Sequence, residues 1–363
     1  MSDETTVRSV TCQASPNIAL IKYWGKQDED LIIPDNDSLS ITLDLSDIYS
    51  HTTVSMSPSM TSDVFFFDEV LQAKLPDRMQ KVLAEIRRRA PQHAKKFVEI
   101  RSHNNFPASS GLASSASAYA CLAVALTKLF QLDQTPSTAA YLARIGSGSA
   151  VRSVYGGFVR WSSVGDCLSS CIYPAEHWSE LRIVILIFNS SKKPVSSTDA
   201  MQRTRRTSTL FKTRLATVDE KIVNLIEAIR IKDFDSFANI VMRDSSQFHA
   251  VCMDTYPPVI YLNEQSKHLI ELVHAYNQAD GTETMKVAYT FDAGPNPFCF
   301  IRQEHLDEFL CLLKNVYPTN NAEVHKFVVD PTKSIPKINV PITPDVLERI
   351  VITKIGSGPK LIS

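Results

Sequence analysis

The sequence predicts an α+β protein of two domains, and three observations carry that expectation. Its 363 residues are about two domains' worth of chain. Short runs rich in β-branched and alternating apolar residues dominate the first part, whereas three helix-length segments follow one another between residues 218 and 278. Between residues 104 and 130, a segment too polar and too rich in turn formers for regular structure runs into Leu112–Phe130, small and apolar throughout and free of proline and glycine. Such a join reads as a loop feeding a buried helix.

Composition excludes several classes of function. Hydrophobic residues make up 44% and charged residues 21%, ordinary globular values, and a formal net charge of −1 gives no global attraction for nucleic acid or an anionic membrane. Seven cysteines, an odd number without paired spacing, read as reduced thiols. Cys167 and Cys171 lack further ligands at the spacing a metal site needs. The N-terminus carries no basic-then-apolar signal pattern and Lys360-Leu361-Ile362-Ser363 is not the peroxisomal form, so the cytoplasm is the expected location.

In chain order, Val7–Ala14 and Asn17–Trp24 read as strands around a Ser15-Pro16 turn. The turn cluster Ile33–Asp37 precedes Ser38–Leu45, whose alternation at Leu39, Ile41, Leu43 and Leu45 predicts a half-buried strand. Strands are expected at Tyr49–Met56 and Ser62–Phe67. Pro76 then opens a helix to about Ala90, with Arg87, Arg88 and Arg89 where cations suit its dipole. Phe97–Ser102 leads into the loop, and Thr135-Pro136-Ser137 starts a helix that stops near Gly146. Leu181–Phe188, continuously apolar but too short to span a membrane, predicts a buried strand. The domain boundary is placed there, with units at 1–185 and 186–363. Helices are expected at about Val218–Arg230, Phe234–Cys252 and Val259–Gln278, the last two separated by Pro257-Pro258. Strand Lys286–Phe291, a strand from Phe298 to Arg302, a helix to about Val316, and strands near Lys326–Val329 and Arg349–Ile355 complete an α+β second unit.

Four stretches suggest chemistry. Serines and free backbone amides at the helix start near Ser114 suit an anion, phosphate first, because unpaired N–H groups and the helix dipole both favour negative charge. A Walker Gly-Lys-Ser/Thr tripeptide is absent, and an ordinary Ser-capped helix is the competing explanation. Lys22 and Lys26, beside Tyr23, Trp24 and Gly25, are either a solvated strand end or cations aimed at a phosphorylated ligand. Arg152, after the small residues Gly146-Ser147-Gly148-Ser149, is either a surface arginine or a fork for carboxylate or phosphate. Asp292, in Asp292-Ala293-Gly294-Pro295-Asn296, either caps a turn or is a carboxylate presented on rigid structure. The charges at Arg203, Arg205 and Arg206 read as a solvated helix face.

These residues resemble a known family. Pro107-x-x-x-Gly111-Leu112-x-Ser114-Ser115-Ala116 resembles the phosphate loop of the GHMP family of small-molecule kinases, and the form Gly-Leu-Ala-Ser-Ser-Ala is similar to its mevalonate diphosphate decarboxylase branch. Ala19-Leu20-Ile21-Lys22-Tyr23-Trp24-Gly25-Lys26, Ile145–Trp161, Val195-Ser196-Ser197 and Asp292–Asn296 resemble that branch in the same order, with Ala200 standing before Met201 where the family has glycine. The resemblance implies a two-domain GHMP-kinase-like fold, ribosomal-protein-S5-like at the N-terminus and ferredoxin-like at the C-terminus, with the site in the cleft between.

It further implies ATP-dependent decarboxylation of mevalonate 5-diphosphate, with ATP and Mg²⁺ required, the metal carried by the nucleotide, and a homodimer. By resemblance, Asp292, Arg152, Lys22 and Ser114 are catalytic. Tyr23, Lys26, Ser147, Ser149, Lys193 and Ser197 bind substrate with Arg152. Asn104, Ser109, Ser110, Gly111, Leu112, Ala113, Ser114 and Ser115 bind ATP. His249 matches a stretch assigned to packing at the domain interface. The adenine contacts stay open among residues from Phe65 to Arg78. A related kinase or decarboxylase acting on mevalonate or a monophosphate, and a non-catalytic ligand sensor, are the alternatives.

Overall fold

The computed structural model describes residues 7–106, 114–166, 168–188, 195–282, 284–324, 326 and 335–362. Strands β1 (Arg8–Ala14), β2 (Asn17–Ile21), β3 (Lys26–Asp28), β4 (Ile33–Pro34), β5 (Ser38–Thr42), β6 (Ser50–Met56), β7 (Val64–Phe67) and β8 (Val70–Leu71) precede helix α1 (Asp77–Arg89). Then come β9 (Val98–Asn104), α2 (Ser114–Leu129), α3 (Pro136–Gly146), α4 (Ala150–Ser153), β10 (Phe158–Trp161) and β11 (Ser169–Tyr173). The rest comprises β12 (Leu181–Ile187), α5 (Ser197–Thr207), α6 (Leu210–Ile231), α7 (Phe234–Asp254), α8 (Glu264–Gln278), β13 (Val287–Phe291), β14 (Pro297–Arg302), α9 (Gln303–Val316), β15 (Arg349–Thr353) and β16 (Lys360–Leu361).

Among the described residues these strands make sheets in the orders β16-β1-β6-β9-β7-β8, β11-β10-β5-β2 and β13-β14-β12-β15, with β3 and β4 as a separate hairpin. Only β7 and β9 run parallel among the paired strands. The α+β class expected from the sequence is the class observed. Strand β12, where the boundary was expected, pairs with β14 and β15, whereas β16 returns from the far end of the chain to pair with β1.

The middle sheet positions the site. The expected half-buried strand is buried on both faces: Leu39 and Ile41 face the large apolar cluster shared with β12, α6 and α7, while Ser38, Ser40 and Thr42 are also out of water. Helix α4 and the residues after it cover that second face: Arg152 Nη1 donates to Ser38 Oγ at 2.8 Å and Thr42 Oγ1 donates to Tyr155 O at 2.7 Å, while Asn17 of β2 donates to Ser149 O at 2.9 Å and to Ser153 Oγ at 2.8 Å. A polar face inside a protein needs such partners.

Helix α2 lies in a second cluster with β1, β6 and α3, buried on most sides. Its alanines and serines let neighbouring backbones approach closely, as its composition implied. Several boundaries moved for local reasons. β2 stops at Ile21, so Lys22–Gly25 leave the sheet. Strand β9 runs on to Asn104 because that residue still pairs with Ser50. Helix α6 begins at Leu210, well before the expected Val218. Helix α8 starts only at Glu264, where Asn263 and Ser266 form a capping box. The strand expected near Lys326–Val329 has residues 327–329 outside the described part.

Candidate active site in the cleft

At the end of β2 the chain turns out of its sheet and is held by groups from elsewhere. The Lys22 N–H donates to Asp244 Oδ2 at 2.9 Å, and Lys22 O accepts from Arg214 Nη2 and Asn36 Nδ2, each at 3.0 Å. So fixed, the Lys22 side chain donates from Nζ to Ala19 O at 2.8 Å and to Asp292 Oδ1 at 2.6 Å. Asp292 follows β13 in a tight turn closed by Gly294 N–H on Asp292 O at 2.7 Å. Its side chain keeps 26% exposure against 3% for Lys22, so the pair is buried on the lysine side and open on the carboxylate side. Burial pushes the Lys22 ammonium below its ordinary pKa, with the Asp292 charge opposing.

Arg152 sits in the short turn of helix α4, 3% exposed. Its Nε donates to Asn17 Oδ1 at 3.0 Å and its Nη1 to Ser38 Oγ at 2.8 Å, and its guanidinium lies 5.8 Å from the Trp161 ring centre. These partners are neutral. Burial lowers its pKa to about 10, with Asp292 the largest opposing charge. The surface-arginine reading is thereby excluded. Asn17 was missed in the sequence; an amide opening an otherwise apolar strand was the available signal.

A second group surrounds Tyr23. Its hydroxyl is buried without a hydrogen-bond partner among the described residues, and its ring stands 4.7 Å from that of Trp161. A Cβ at Gly148 would lie 2.8 Å from Tyr23 Oη, so glycine is what permits this approach. Ser147 Oγ is 3.2 Å from Ser115 Oγ and 3.4 Å from Ser149 Oγ, a chain of hydroxyls linking the start of α2 to the α3–α4 junction.

Lys26 Nζ donates to Thr198 Oγ1 at 3.3 Å, and Arg78 Nη2 donates to the same oxygen at 2.7 Å. Burial lowers the Lys26 pKa to about 8, and the Arg78 charge adds to the effect. The solvated-strand-end reading fails for both lysines: Lys22 is 2% and Lys26 6% exposed. Arg78 and Thr198 were not singled out as ligands from the sequence. They come from α1 and the first turn of α5, far apart in the chain.

A third group lines a cavity of about 200 Å³ at the start of α2. Phe65, Phe67, Pro76, Met79, Ile100 and Leu122 make an apolar wall, with Asn104, Ser114 and Ser115 at the polar side. Asn104 Oδ1 accepts from Ser50 Oγ at 2.6 Å, which orients the amide. The shape suits a flat, largely apolar ring whose anionic substituents reach the α2 N-terminus.

Ser197 opens α5 beneath the Ser196 cap, whose Oγ accepts the Asp199 N–H at 3.1 Å. Ser109, Ser110, Gly111, Leu112, Ala113 and Lys193 lie outside the described residues, as does Cys167. His249 packs between Tyr261 and Phe291, both of its own unit rather than across the expected domain interface, and burial lowers its pKa to about 3. Arg205 is exposed as expected of a solvated face but also bridges to Asp35 at 2.8 Å. No group of three or more His, Cys, Asp or Glu side chains suited to a metal occurs among the described residues.

Comparison with known proteins places these features in one family. The model of the Diphosphomevalonate decarboxylase-like N-terminal domain matches residues 14–172, and that of the Mevalonate 5-diphosphate decarboxylase C-terminal domain matches residues 183–362. Diphosphomevalonate decarboxylase of Danio rerio is 42% identical, with 97% of this chain and 92% of that protein covered. The Homo sapiens enzyme of the same name is 37% identical over 100% of this chain and 96% of its own. Among solved structures, mevalonate diphosphate decarboxylase from Trypanosoma brucei superposes with a TM-score of 0.88 at 35% identity, covering 98% of each chain. The Enterococcus faecalis decarboxylase, described with a mevalonate diphosphate-mediated ATP binding mechanism, gives 0.79 at 31% identity, covering 99% of this chain and 100% of that one.

Proposed function

The chain belongs to the mevalonate 5-diphosphate decarboxylase family, and from that premise we propose how its cleft performs the family's reaction. The reaction is ATP-dependent decarboxylation of mevalonate 5-diphosphate to isopentenyl diphosphate, ADP, phosphate and carbon dioxide, a step of isoprenoid and sterol precursor synthesis. ATP and Mg²⁺ are its cofactors, consistent with a neighbouring structure in complex with MVAPP, AMPPCP and magnesium.

The observation that carries the assignment of roles is the 2.6 Å contact of Lys22 Nζ with Asp292 Oδ1 beside a buried Arg152. The tertiary 3-hydroxyl of the substrate is a poor leaving group, so it is first phosphorylated. Lys22 engages Oδ1, and we assign Asp292 Oδ2 to accept the hydroxyl proton as the oxygen attacks the γ-phosphorus. Ser114 and the α2 amides hold the ATP phosphates, with residues 109–113 completing that loop by resemblance. Hard oxygen donors such as the hydroxyls of Ser114 and Ser115 suit Mg²⁺, which usually arrives on substrate phosphates and offsets their charge. The Phe65–Phe67–Met79 wall takes adenine, with Asn104 at its edge.

Arg152 binds the substrate carboxylate. When the 3-phosphate departs, the C1–C2 bonding pair becomes the C2–C3 double bond and carbon dioxide leaves. Tyr23, Lys26, Ser147, Ser149, Ser197 and Lys193 take the diphosphate end, and we add Arg78 and Thr198 to them. Positioning and fixed charge are the expected catalytic means for phosphoryl transfer. The same reading places the protein in the cytoplasm as a homodimer, with working units divided near residue 185. Support for that division is that the first domain model ends at residue 172 and the second begins at residue 183.

Carbon dioxide and ADP measured together from carboxyl-labelled mevalonate 5-diphosphate with Mg-ATP test the whole assignment. Equal yields are expected; ADP alone would make the protein a kinase, and neither product would point to another substrate, such as mevalonate or its monophosphate, or to a sensor. Asp292→Asn tests the base: kcat should fall by about 10²- to 10⁴-fold with the fold intact. A loss below tenfold would remove Asp292 from that role.

A further inference from the structure

Behind the Lys22–Asp292 pair lies a set of buried polar groups for which the reaction has no direct use. Arg214 of α6 forks Asp244 of α7, Nη1 to Oδ1 at 2.8 Å and Nη2 to Oδ2 at 3.0 Å, and both side chains are fully buried. Lys221 adds a contact to Asp244 Oδ1 at 3.0 Å, and Gln247 Oε1 accepts from Arg214 Nη1 at 3.0 Å and from Lys221. An ion pair so deeply buried adds little net stability, because desolvation offsets the attraction. What it adds is direction.

The direction is toward the catalytic pair. Asp244 Oδ2 accepts the Lys22 N–H at 2.9 Å, and Arg214 Nη2 donates to Lys22 O at 3.0 Å. Lys22 has left its sheet, so these groups replace the ladder bonds it lacks. The next residue of α7, Ser245, accepts the Phe291 N–H on Oγ at 3.0 Å. Phe291 is the last residue of β13, an edge strand, and Asp292 follows it directly. Neighbouring residues of one helix therefore hold the backbone at both halves of the 2.6 Å pair, one from each part of the chain.

We propose that Asp244 and Ser245, anchored by Arg214, are positioning residues that set the Lys22–Asp292 contact across the cleft. The proposal rests on the reading of Asp292 as the base. Displacements near 1 Å at a reacting group can cost about a hundredfold in rate, and a template within one helical turn limits relative movement of the two partners. Because both backbone groups are held from α7, any shift of that helix moves lysine and aspartate together.

The test is a double-mutant cycle on the full chain, with kcat and both KM values read from ADP release. Ser245→Ala removes one acceptor and no charge. It should lower kcat by about tenfold, leave both KM values within about twofold, and lower the rate by no more than about twofold further in an Asp292→Asn background. Asp244→Asn should behave in the same way against Lys22→Met. A merely structural role would give the same loss with and without Asp292. Such additivity, or an unchanged kcat in Ser245→Ala, overturns the proposal while leaving the base assignment standing. Less than tenfold loss in Asp292→Asn alone overturns the base assignment, and the proposal with it.

Discussion

Arg214 and Arg152 both lie out of water, at 0% and 3% exposure, yet their surroundings are opposite in kind. Arg214 is met by Asp244 through two parallel bonds and by Gln247 and Lys22 O besides. Arg152 is met by an amide oxygen and a hydroxyl, and no carboxylate lies within ion-pair distance among the described contacts. A guanidinium taken from water without an anion is costly. One arginine is neutralised by the protein; the other is held in a fixed direction by neutral partners, the arrangement that the proposed carboxylate-binding role requires. The difference is the geometric ground on which Arg214 is read as structural and Arg152 is proposed as binding.

The widest separation is expected in stability. Arg214→Met should cost about 3–5 kcal/mol of unfolding free energy, because it removes the fork from the buried Asp244 and leaves Lys221 as its one charged partner among the described contacts, whereas Arg152→Met should change it by under about 1 kcal/mol. Urea unfolding of the two variants measures this, and equal losses would break the comparison. Activity sharpens it from the other side. Arg152→Lys keeps the charge but loses the fork, and kcat/KM for mevalonate 5-diphosphate should fall by about 10- to 100-fold. Unchanged kcat and KM in that variant would remove the carboxylate from Arg152.

A smaller effect belongs to Lys26, a buried cation that, like Arg152, has no carboxylate partner among the described contacts. With its pKa near 8, its charge is lost as pH rises through that value, so kcat/KM should decline on the alkaline side. Lys26→Met should start lower by about three- to tenfold and show a flatter profile between pH 7.5 and about 9. An alkaline limb of the same depth and position in Lys26→Met would assign it to another group.

Most strands and helices were legible from periodicity, because β5 and the strands of the β13-β14-β12-β15 sheet carry apolar runs and α1, α3 and α7 carry clear start or stop residues. The short helix α4, the β3–β4 hairpin and strand β11 were not, since so few residues show no period, and of the mostly polar α5 only the charged face at Arg203, Arg205 and Arg206 was read. Asp292, Lys22 and Arg152 were legible as residues but ambiguous as chemistry: each had an ordinary surface or turn explanation until family resemblance ordered them. Thr198 and Asp244 were not legible as candidate site members, Arg78 entered only as the limit of the open adenine range, and Asn17 offered no more than an amide in an apolar strand. Each meets a residue between 120 and 222 positions away, as with Arg78 on Thr198 and Asp244 on Lys22, and no local pattern records that distance.

The sequence by itself determined the α+β class, the family and the order of its motifs, because these depend on local propensity, alternation and short contiguous signatures. Tertiary structure decided which cations are neutralised and which are not. That distinction depends on which carboxylate the fold brings within hydrogen-bond reach, as with Asp244 on Arg214 and Asp292 on Lys22, and on how much water the surrounding layers exclude. Both are properties of packing between residues distant in the chain.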